Sequence, residues 1–352
     1  MSGRVLITGG AGFIGSNLAH CLLASGREVL IFDNLSRPGV QSNFEWLRSE
    51  HAQRLKFELG DVRDRFALRA ALRGVSEVYH LAAQVAVTSS LADPAADFEI
   101  NARGTLNLLE QMRACAHPPL LIFTSTNKVY GDLSDVELVR GTLRYEPLNR
   151  AIRRGVSERR RLSFHSPYGC SKGAADQYVL DYARVFGLRA VVFRMSCIYG
   201  PRQFGTEDQG WVAHFLIRAL AGHPIVIYGD GYQVRDILYI DDLLSAFMAA
   251  RENIEAISGR AFNIGGGPAN TVSLLELAGI ISELQGTPPR LCFEPWRPAD
   301  QRYYVSDTRA FSSATGWKPS TGVRAGIRRL HSWLSQSRPE SFTASLKSRL
   351  AS

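Results

Sequence analysis

The stretch Val5-Leu6-Ile7-Thr8-Gly9-Gly10-Ala11-Gly12-Phe13-Ile14-Gly15 places a glycine-rich loop directly after a short apolar strand. Glycines in such a loop let the backbone turn sharply and approach a pyrophosphate closely, and the following helix offers free N–H groups to it. A helix from about 16 to 25 and a strand over 28–32 complete a βαβ unit. The loop therefore predicts a dinucleotide site with these candidate contacts: Gly9, Gly12, Phe13, Ile14 and Gly15.

The end of the second predicted strand favours NAD over NADP. Asp33 follows Gly15 by 18 residues, where a carboxylate can accept hydrogen bonds from an adenosine ribose and would repel a 2'-phosphate. Asn34, Ser36 and Arg37 are further candidate contacts in the same turn. Arg37 is the opposing signal, because an arginine here can also serve a 2'-phosphate.

Further apolar runs at 55–57, 77–79, 120–123 and 190–193 alternate with helical stretches such as 98–114 and 173–186. Strands that are apolar on both faces need helices on both sides, so an α/β fold with a doubly wound, Rossmann-type parallel sheet is predicted. We expect an NAD-binding domain at 1–195 with a later contribution from about 232–255. A smaller C-terminal α/β substrate-binding region at 196–338 and a polar tail at 339–352 follow.

Composition places the chain among ordinary globular proteins. Of its 352 residues, 45% are hydrophobic and 21% are charged, which argues against disorder and coiled coils. No apolar run is long enough to span a membrane, and the N-terminus leads straight into a strand, so we expect a cytoplasmic protein without a signal peptide. The five cysteines are scattered without CxxC spacing, which predicts neither a disulfide framework nor a metal site.

The net charge of +8 owes much to one arginine-rich segment. This segment lacks the interleaved aromatic residues that stack on single-stranded nucleic acid, so nucleic-acid binding is disfavoured. It is either a solvated loop or a loop near the mouth of a site for a phosphorylated substrate. Its arginines are Arg150, Arg153, Arg154, Arg159, Arg160 and Arg161.

Three residues suggest acid–base chemistry. Tyr168 and Lys172 are four residues apart, which puts the phenol and the ammonium on one face of a helix. A nearby cation favours the phenolate, so we expect Lys172 to lower the pKa of Tyr168. Thr126 follows the apolar strand at 120–123, and a parallel sheet binds its ligands beyond the carboxyl ends of its strands.

These motifs together resemble the extended short-chain dehydrogenase/reductase family, whose members are mostly nucleotide-sugar epimerases, dehydratases and reductases. The resemblance implies a catalytic triad of Thr126, Tyr168 and Lys172, in which Lys172 also holds the nicotinamide ribose. It further implies a homodimer or homotetramer. It implies these additional cofactor contacts: Asp61 and Val62 beside the adenine, and Leu81, Ala82, Ala83 and Asn101 along the cofactor.

The residues after Thr126 bear on the reaction type. Members that remove water typically carry an Asp-Glu pair there, whereas this chain has Asn127-Lys128, and an amide cannot transfer the proton as a carboxyl group does. The string at 125–131 is similar to that of CDP-sugar 2-epimerases, which implies inversion through a transient 2-keto sugar. The candidate substrate contacts are Thr88, Asn127, Cys197, Gln209, Arg235 and Arg297, the two arginines being implied for the diphosphate.

Several alternatives remain open from the sequence. Another nucleotide-sugar epimerase of the UDP-sugar 4-epimerase type fits the same motifs, and a sugar dehydratase or reductase fits them less well. A non-catalytic dinucleotide-binding regulator is a different class on the same fold. Spacing and periodicity determine neither the nucleotide base nor the sugar carbon nor the oligomeric state.

Overall fold

The computed structural model describes residues 3–336. Within this range the strands, in chain order, are β1 (Arg4–Thr8), β2 (Val29–Asp33), β3 (Leu55–Leu59), β4 (Val75–His80), β5 (Leu120–Thr126), β6 (Leu138–Arg140), β7 (Tyr145–Pro147), β8 (Ala190–Met195), β9 (Cys197–Tyr199), β10 (Ile225–Tyr228), β11 (Val234–Tyr239), β12 (Arg260–Ile264), β13 (Thr271–Ser273), β14 (Leu291–Glu294) and β15 (Tyr303–Tyr304). The tail predicted at 339–352 lies outside the described residues.

The α-helices of the described range are α1 (Phe13–Ala24), α2 (Val40–His51), α3 (Arg65–Ala71), α4 (Val87–Ala92), α5 (Pro94–Phe98), α6 (Gly104–Arg113), α7 (Ser166–Phe186), α8 (Trp211–Leu220), α9 (Ile240–Glu252), α10 (Ile254–Ile257), α11 (Leu274–Gln285), α12 (Arg309–Thr315) and α13 (Val323–Gln336). A π-helical segment, Glu99–Arg103, precedes α6. None of the helices described for residues 3–336 combines the length and the apolar character that a membrane crossing requires.

Seven strands form one parallel sheet in the order β12, β8, β5, β4, β1, β2, β3. Successive residues of β1 enter different cores: Val5 and Ile7 pack in one hydrophobic cluster and Leu6 in another. The first cluster contains side chains of α1 and α9, and the second contains side chains of α3, α6 and α7. Helices cover both faces because the strands are apolar on both, which confirms the predicted doubly wound α/β fold.

One edge strand comes from a part of the chain that the sequence pattern placed in the smaller region. β12 pairs in parallel with β8, from Arg260 opposite Val191 to Ile264 opposite Met195, and Phe262 and Ile264 are fully buried. Only part of the segment 232–255, which was predicted to contribute to the NAD-binding domain, packs there. Helix α9 packs on α1 and β5, whereas β11 pairs with β9, β13 and β15 outside the central sheet. Short apolar strands do not reveal their partners, because the pairing is long-range.

The site is positioned by the carboxyl ends of the central strands. β1 lies between β2 and β4, and β4 pairs with β5, so the loop after Thr8 and the end of β5 meet at one edge of the sheet. The helix predicted for 98–114 is interrupted by the π-helical segment, which contains Asn101. Such segments are frequent at functional sites.

Candidate active site

A cavity of about 570 Å³ opens at the carboxyl ends of the central strands. Its walls include nearly all the residues that the sequence predicted for the cofactor: Gly9, Gly12, Phe13, Ile14, Gly15, Asp33, Asn34, Ser36, Arg37, Asp61, Val62, Leu81, Ala82, Ala83, Tyr168 and Lys172. Asn101 is the exception. It is buried behind the wall, where its Oδ1 accepts the N–H of Gln84 at 2.9 Å.

The glycine-rich loop fits a dinucleotide. A Cβ added at Gly15 would lie 2.4 Å from the carbonyl oxygen of Gly9, and one at Gly9 would lie 2.7 Å from the backbone nitrogen of Ala82. Gly9 also has a left-handed φ of 69°, which favours glycine. Because glycines keep this turn free of side chains, a pyrophosphate can approach the start of α1 at Phe13, where the first N–H groups of the helix have no partner within the helix.

The predicted ribose contact, Asp33, is held firmly in place. Its carboxylate accepts the N–H groups of Ala11 at 3.0 Å and Leu35 at 2.9 Å, and burial raises its pKa. Arg37 turns toward the opposite wall, where its Nη2 donates to Oε1 of Gln209. The Arg37–Gln209 contact joins the predicted cofactor side of the cavity to the loop before α8.

Thr126 ends β5, and Tyr168 and Lys172 lie one turn apart on α7. Burial raises the pKa of Tyr168 to about 12, while a hydrogen bond from Thr126 and the charge of Arg37 act to lower it. The ammonium of Lys172 sits 4.3 Å from the ring centroid of Phe123. The expectation that Lys172 lowers the pKa of Tyr168 is therefore wrong for this structure, in which desolvation outweighs the nearby charges.

Burial also controls Lys172. It lowers the pKa of the ammonium to about 7, against the raising effect of the carboxylates of Asp176 and Asp97. The three predicted triad residues are each at most 9% exposed. Low exposure of this kind strengthens the electrostatic interactions between these groups.

Three of the six predicted substrate contacts line the same cavity: Asn127, Cys197 and Gln209. The Nδ2 of Asn127 donates to Oε1 of Gln301 at 3.1 Å, and the thiol of Cys197 accepts Nε1–H of Trp211 at 3.3 Å. Burial raises the pKa of that thiol. Thr88 lies outside the lining, and its buried hydroxyl has no hydrogen-bond partner among the described residues.

The two predicted diphosphate contacts also lie outside the lining. Arg235 is 8% exposed and its Nη2 is 2.8 Å from Oδ1 of Asp300. Arg297 lies over the ring of Tyr228 at 3.8 Å, and its Nη1 donates to the carbonyl of Glu207 at 3.0 Å. Both guanidinium groups already have partners, so a bound diphosphate would compete with protein oxygens for them.

The arginine-rich segment is mostly solvated. Five of its six arginines are exposed, and Arg160 pairs with Asp135. None of the six lines the cavity found in the described part of the chain. Of the two interpretations left open by the sequence, the structure favours the solvated loop.

Sequence reasoning missed the buried polar residues behind the triad. Asp97 accepts hydrogen bonds from Ser171 and from Asn101. On α7, the helix that carries Ser171, Asp176 forms a bidentate ion pair with Arg194, at 2.8 and 2.9 Å. No local pattern marks these residues, because each pairs with a partner on a different element.

Residues 5–265 match the family described as the NAD dependent epimerase/dehydratase family. The chain belongs to this family. NAD is accordingly its cofactor, and the glycine-rich loop at residues 9–15 lies within the matched region. Within residues 3–336, no group of three or more His, Cys, Asp or Glu side chains is placed to hold a metal ion.

Relatives and solved structures agree with the family. The chain is 44% identical to the CDP-paratose 2-epimerase of Salmonella typhi over 94% of this chain and 99% of that protein. It is 32% identical to the UDP-glucose 4-epimerase of Mycolicibacterium smegmatis, over 92% and 96%. The structure of the Thermus thermophilus UDP-glucose 4-epimerase in complex with NAD superimposes with a TM-score of 0.78 and 33% identity, over 95% and 99%.

Proposed function

We propose that this chain catalyses NAD-dependent epimerisation of CDP-paratose to CDP-tyvelose, inverting C2 of the sugar. The observation that carries the proposal is the 44% identity to a CDP-paratose 2-epimerase, which extends over nearly the whole of both chains. At this level of similarity the shape of the substrate cavity is expected to be retained along with the fold.

The residues beside Thr126 support epimerisation over dehydration. Asn127 is 8% exposed and its amide is fixed by Gln301. Lys128 directs its Nζ toward the carbonyl of Ala299 at 3.3 Å. Neither side chain can act as the carboxylic acid that elimination of water requires.

A C2 hydrogen is not acidic, so inversion requires a transient oxidation of the 2-hydroxyl to a ketone. Bound NAD supplies the reversible hydride acceptor. In our proposal Tyr168 takes the hydroxyl proton and later returns it, and Thr126 orients the sugar oxygen toward the phenol. The hydrogen bond from Thr126 and the charge of Arg37 favour the phenolate form during the step in which Tyr168 acts as a base.

The ketone has to turn so that its other face is reduced. The protein must therefore hold the substrate through groups that are remote from C2. We propose that Arg235 and Arg297 bind its diphosphate, since the planar guanidinium group matches phosphate oxygens. Arg297 would then exchange its contacts with Glu207 for substrate oxygens. Asn127, Cys197 and Thr88 are proposed to border the sugar, and Gln209 to lie near the nucleotide.

The decisive experiment is NMR of the purified protein with CDP-paratose and no added dinucleotide. We expect the signals of the C2 epimer to grow, and we expect NAD to be released when the protein is denatured. Absence of conversion by a protein that carries NAD would contradict CDP-paratose as the substrate. UDP-glucose is the second substrate to test, because similarity to UDP-glucose 4-epimerases supports that candidate.

We also propose a homodimer formed through α7. Three exposed apolar side chains lie toward the end of this helix: Tyr178 at 44%, Val185 at 58% and Phe186 at 43%. Tyr178 and Val185 are seven residues apart and therefore share a face. Exposed apolar side chains grouped on one helix are commonly covered by a partner, and a second copy of the chain offers a matching group.

Val185→Glu is expected to shift the protein from dimer to monomer, because it places two like charges across the proposed symmetric interface. Sedimentation velocity measures the change. Leu148→Glu is the matched control, since Leu148 is 53% exposed directly after β7 and its replacement leaves α7 unchanged. A monomeric wild type, or a V185E variant that stays dimeric, would contradict this interface.

We propose a cytoplasmic location, which the thiols support. Each of the five cysteines is free in the structure, as is usual in a reducing compartment. Cell fractionation tests this: recovery of the protein in a membrane or extracytoplasmic fraction would contradict it.

A further inference from the structure

A buried carboxylate lies directly behind the candidate active site. Asp97, on α5, is 1% exposed. Its Oδ2 accepts a hydrogen bond from the hydroxyl of Ser171, and its Oδ1 accepts one from the amide of Asn101 at 3.2 Å. Both neighbours act as donors, which suits an ionised carboxylate because that form only accepts hydrogen bonds.

Hydrogen bonds connect Asp97 both to the helix that carries Tyr168 and Lys172 and to the loop that contains Gln84. Ser171 precedes Lys172 on α7, and its hydroxyl also receives Nδ2–H of Asn101 at 3.1 Å. Asn101 also accepts the backbone N–H of Gln84 at 2.9 Å and donates to the carbonyl of Gln84 at 3.1 Å. Asp97 is thus fixed between the helix that carries Tyr168 and Lys172 and the loop that lines the cofactor cavity.

Within residues 3–336, no arginine or histidine pairs with Asp97, and the charge of Lys172 acts on its carboxylate. The other carboxylate near Lys172 is that of Asp176, and a bidentate contact with Arg194 neutralises it. The ammonium of Lys172 also lies over the ring of Phe123, and its charge acts on the buried imidazole of His80. Of the two carboxylates that raise the pKa of Lys172, Asp97 is therefore the one that is not already paired with an arginine.

We propose that Asp97 is a positioning residue of the epimerase, which keeps Lys172 in its ammonium form and fixes α7 against the cofactor loop. The role rests on the proposed function, in which the ammonium of Lys172 would hold the nicotinamide ribose beside Tyr168. Asp97 touches neither substrate nor cofactor in this role, because it lies outside the cavity lining.

Removing the charge of Asp97 is expected to change the pKa values of Lys172 and Tyr168 in the same direction. Burial lowers the pKa of Lys172, and Asp176 and Asp97 raise it. For Tyr168, burial raises the pKa and Asp97 adds to the rise, whereas Thr126 and Arg37 act in the opposite direction. Asp97→Asn is therefore expected to lower both pKa values, so the whole pH profile of turnover moves toward lower pH.

The composition of the chain permits a direct measurement on Lys172. The chain contains five lysines, namely Lys56, Lys128, Lys172, Lys318 and Lys347, so NMR of protein labelled with 13C-lysine has few signals. Lys172→Met identifies the signal of Lys172 by its loss. Titration of the NAD-containing protein then gives the pKa of Lys172 in the wild type and in D97N, without any need for turnover.

We expect the pKa of Lys172 to be lower by about one pH unit in D97N and to be close to the wild-type value in Asp97→Glu, which keeps the charge. Ser171→Ala is the matched control: it removes the hydrogen bond and keeps the carboxylate, so the rate can fall but the pH profile stays in place. Asp97→Ser replaces D97N if circular dichroism shows that variant to be unfolded.

An unchanged pKa of Lys172 in the folded neutral variant would overturn the proposal, as would an equal loss of rate at every pH. This result is distinct from failure of the proposed function. If the wild type does not convert CDP-paratose, the substrate is wrong, whereas the lysine titration still tests the role of Asp97.

Discussion

Tyr168→Phe is expected to reduce epimerisation about a thousandfold while NAD remains bound. The phenol is the acid–base group of our proposal, and loss of a positioned group of this kind typically costs 10²–10⁴ in rate, or about 4 kcal/mol of transition-state stabilisation for a thousandfold loss. The ring of Tyr168 is 9% exposed and Phe fills the same space. NMR of the conversion gives the rate, and NAD released on denaturation gives the cofactor content.

Tyr178→Phe provides the matched control on the same helix. Tyr178 is 44% exposed, so removal of its hydroxyl is expected to leave the rate unchanged. Full activity of Y168F would exclude Tyr168 as the acid–base group. Loss of activity together with loss of NAD would indicate that the residue mainly holds the cofactor.

The central sheet and the dinucleotide loop could be predicted because their signals are local and repeat along the chain. A strand, a glycine-rich turn and a helix are contiguous over residues 5–24, so one short pattern specifies the whole unit. The sequence could also place Thr126, Tyr168 and Lys172 near one site, since Thr126 ends a strand and the other two lie one helical turn apart, and their catalytic roles stay a prediction. The structure brings these three residues to one cavity.

Electrostatic behaviour at the same residues could not be predicted from spacing. Four-residue spacing put Lys172 near Tyr168, yet the structure buries both groups, and burial raises the pKa of Tyr168 to about 12. Desolvation depends on how much protein surrounds a group. That quantity is a property of the assembled fold and has no counterpart in a local motif.

Long-range partners account for the other differences. Ser171 and Asp97 are 74 residues apart in sequence, and Arg297 contacts a carbonyl 90 residues away. β12 pairs with β8 although 64 residues separate the ends of the two strands. A single sequence carries no record of which of several apolar or charged segments will meet, so these contacts required the structure.

The ion pair of Arg194 and Asp176 leads to the largest expected effect on stability. Asp176 on α7 is fully buried and Arg194 on β8 is 4% exposed. Arg194→Met leaves a carboxylate in the core without its counter-ion, which typically costs about 3–5 kcal/mol. For a chain of this length, that loss corresponds to a fall of about 5 °C in the midpoint of thermal unfolding, as measured by circular dichroism.

The double variant Asp176→Leu/Arg194→Met separates the cost of a buried unpaired charge from the contribution of the contact itself. It removes both charges, and well-packed apolar replacements of buried pairs are often close to neutral. The double variant is therefore expected to be more stable than R194M alone. If the free energy of unfolding of the double variant is no higher than that of R194M, the destabilisation arises from other lost contacts of Arg194, which also donates to the hydroxyl of Tyr130 at 3.2 Å. Asp176 lies one turn beyond Lys172 on α7, so its ion pair with Arg194 on β8 holds this helix against the central sheet.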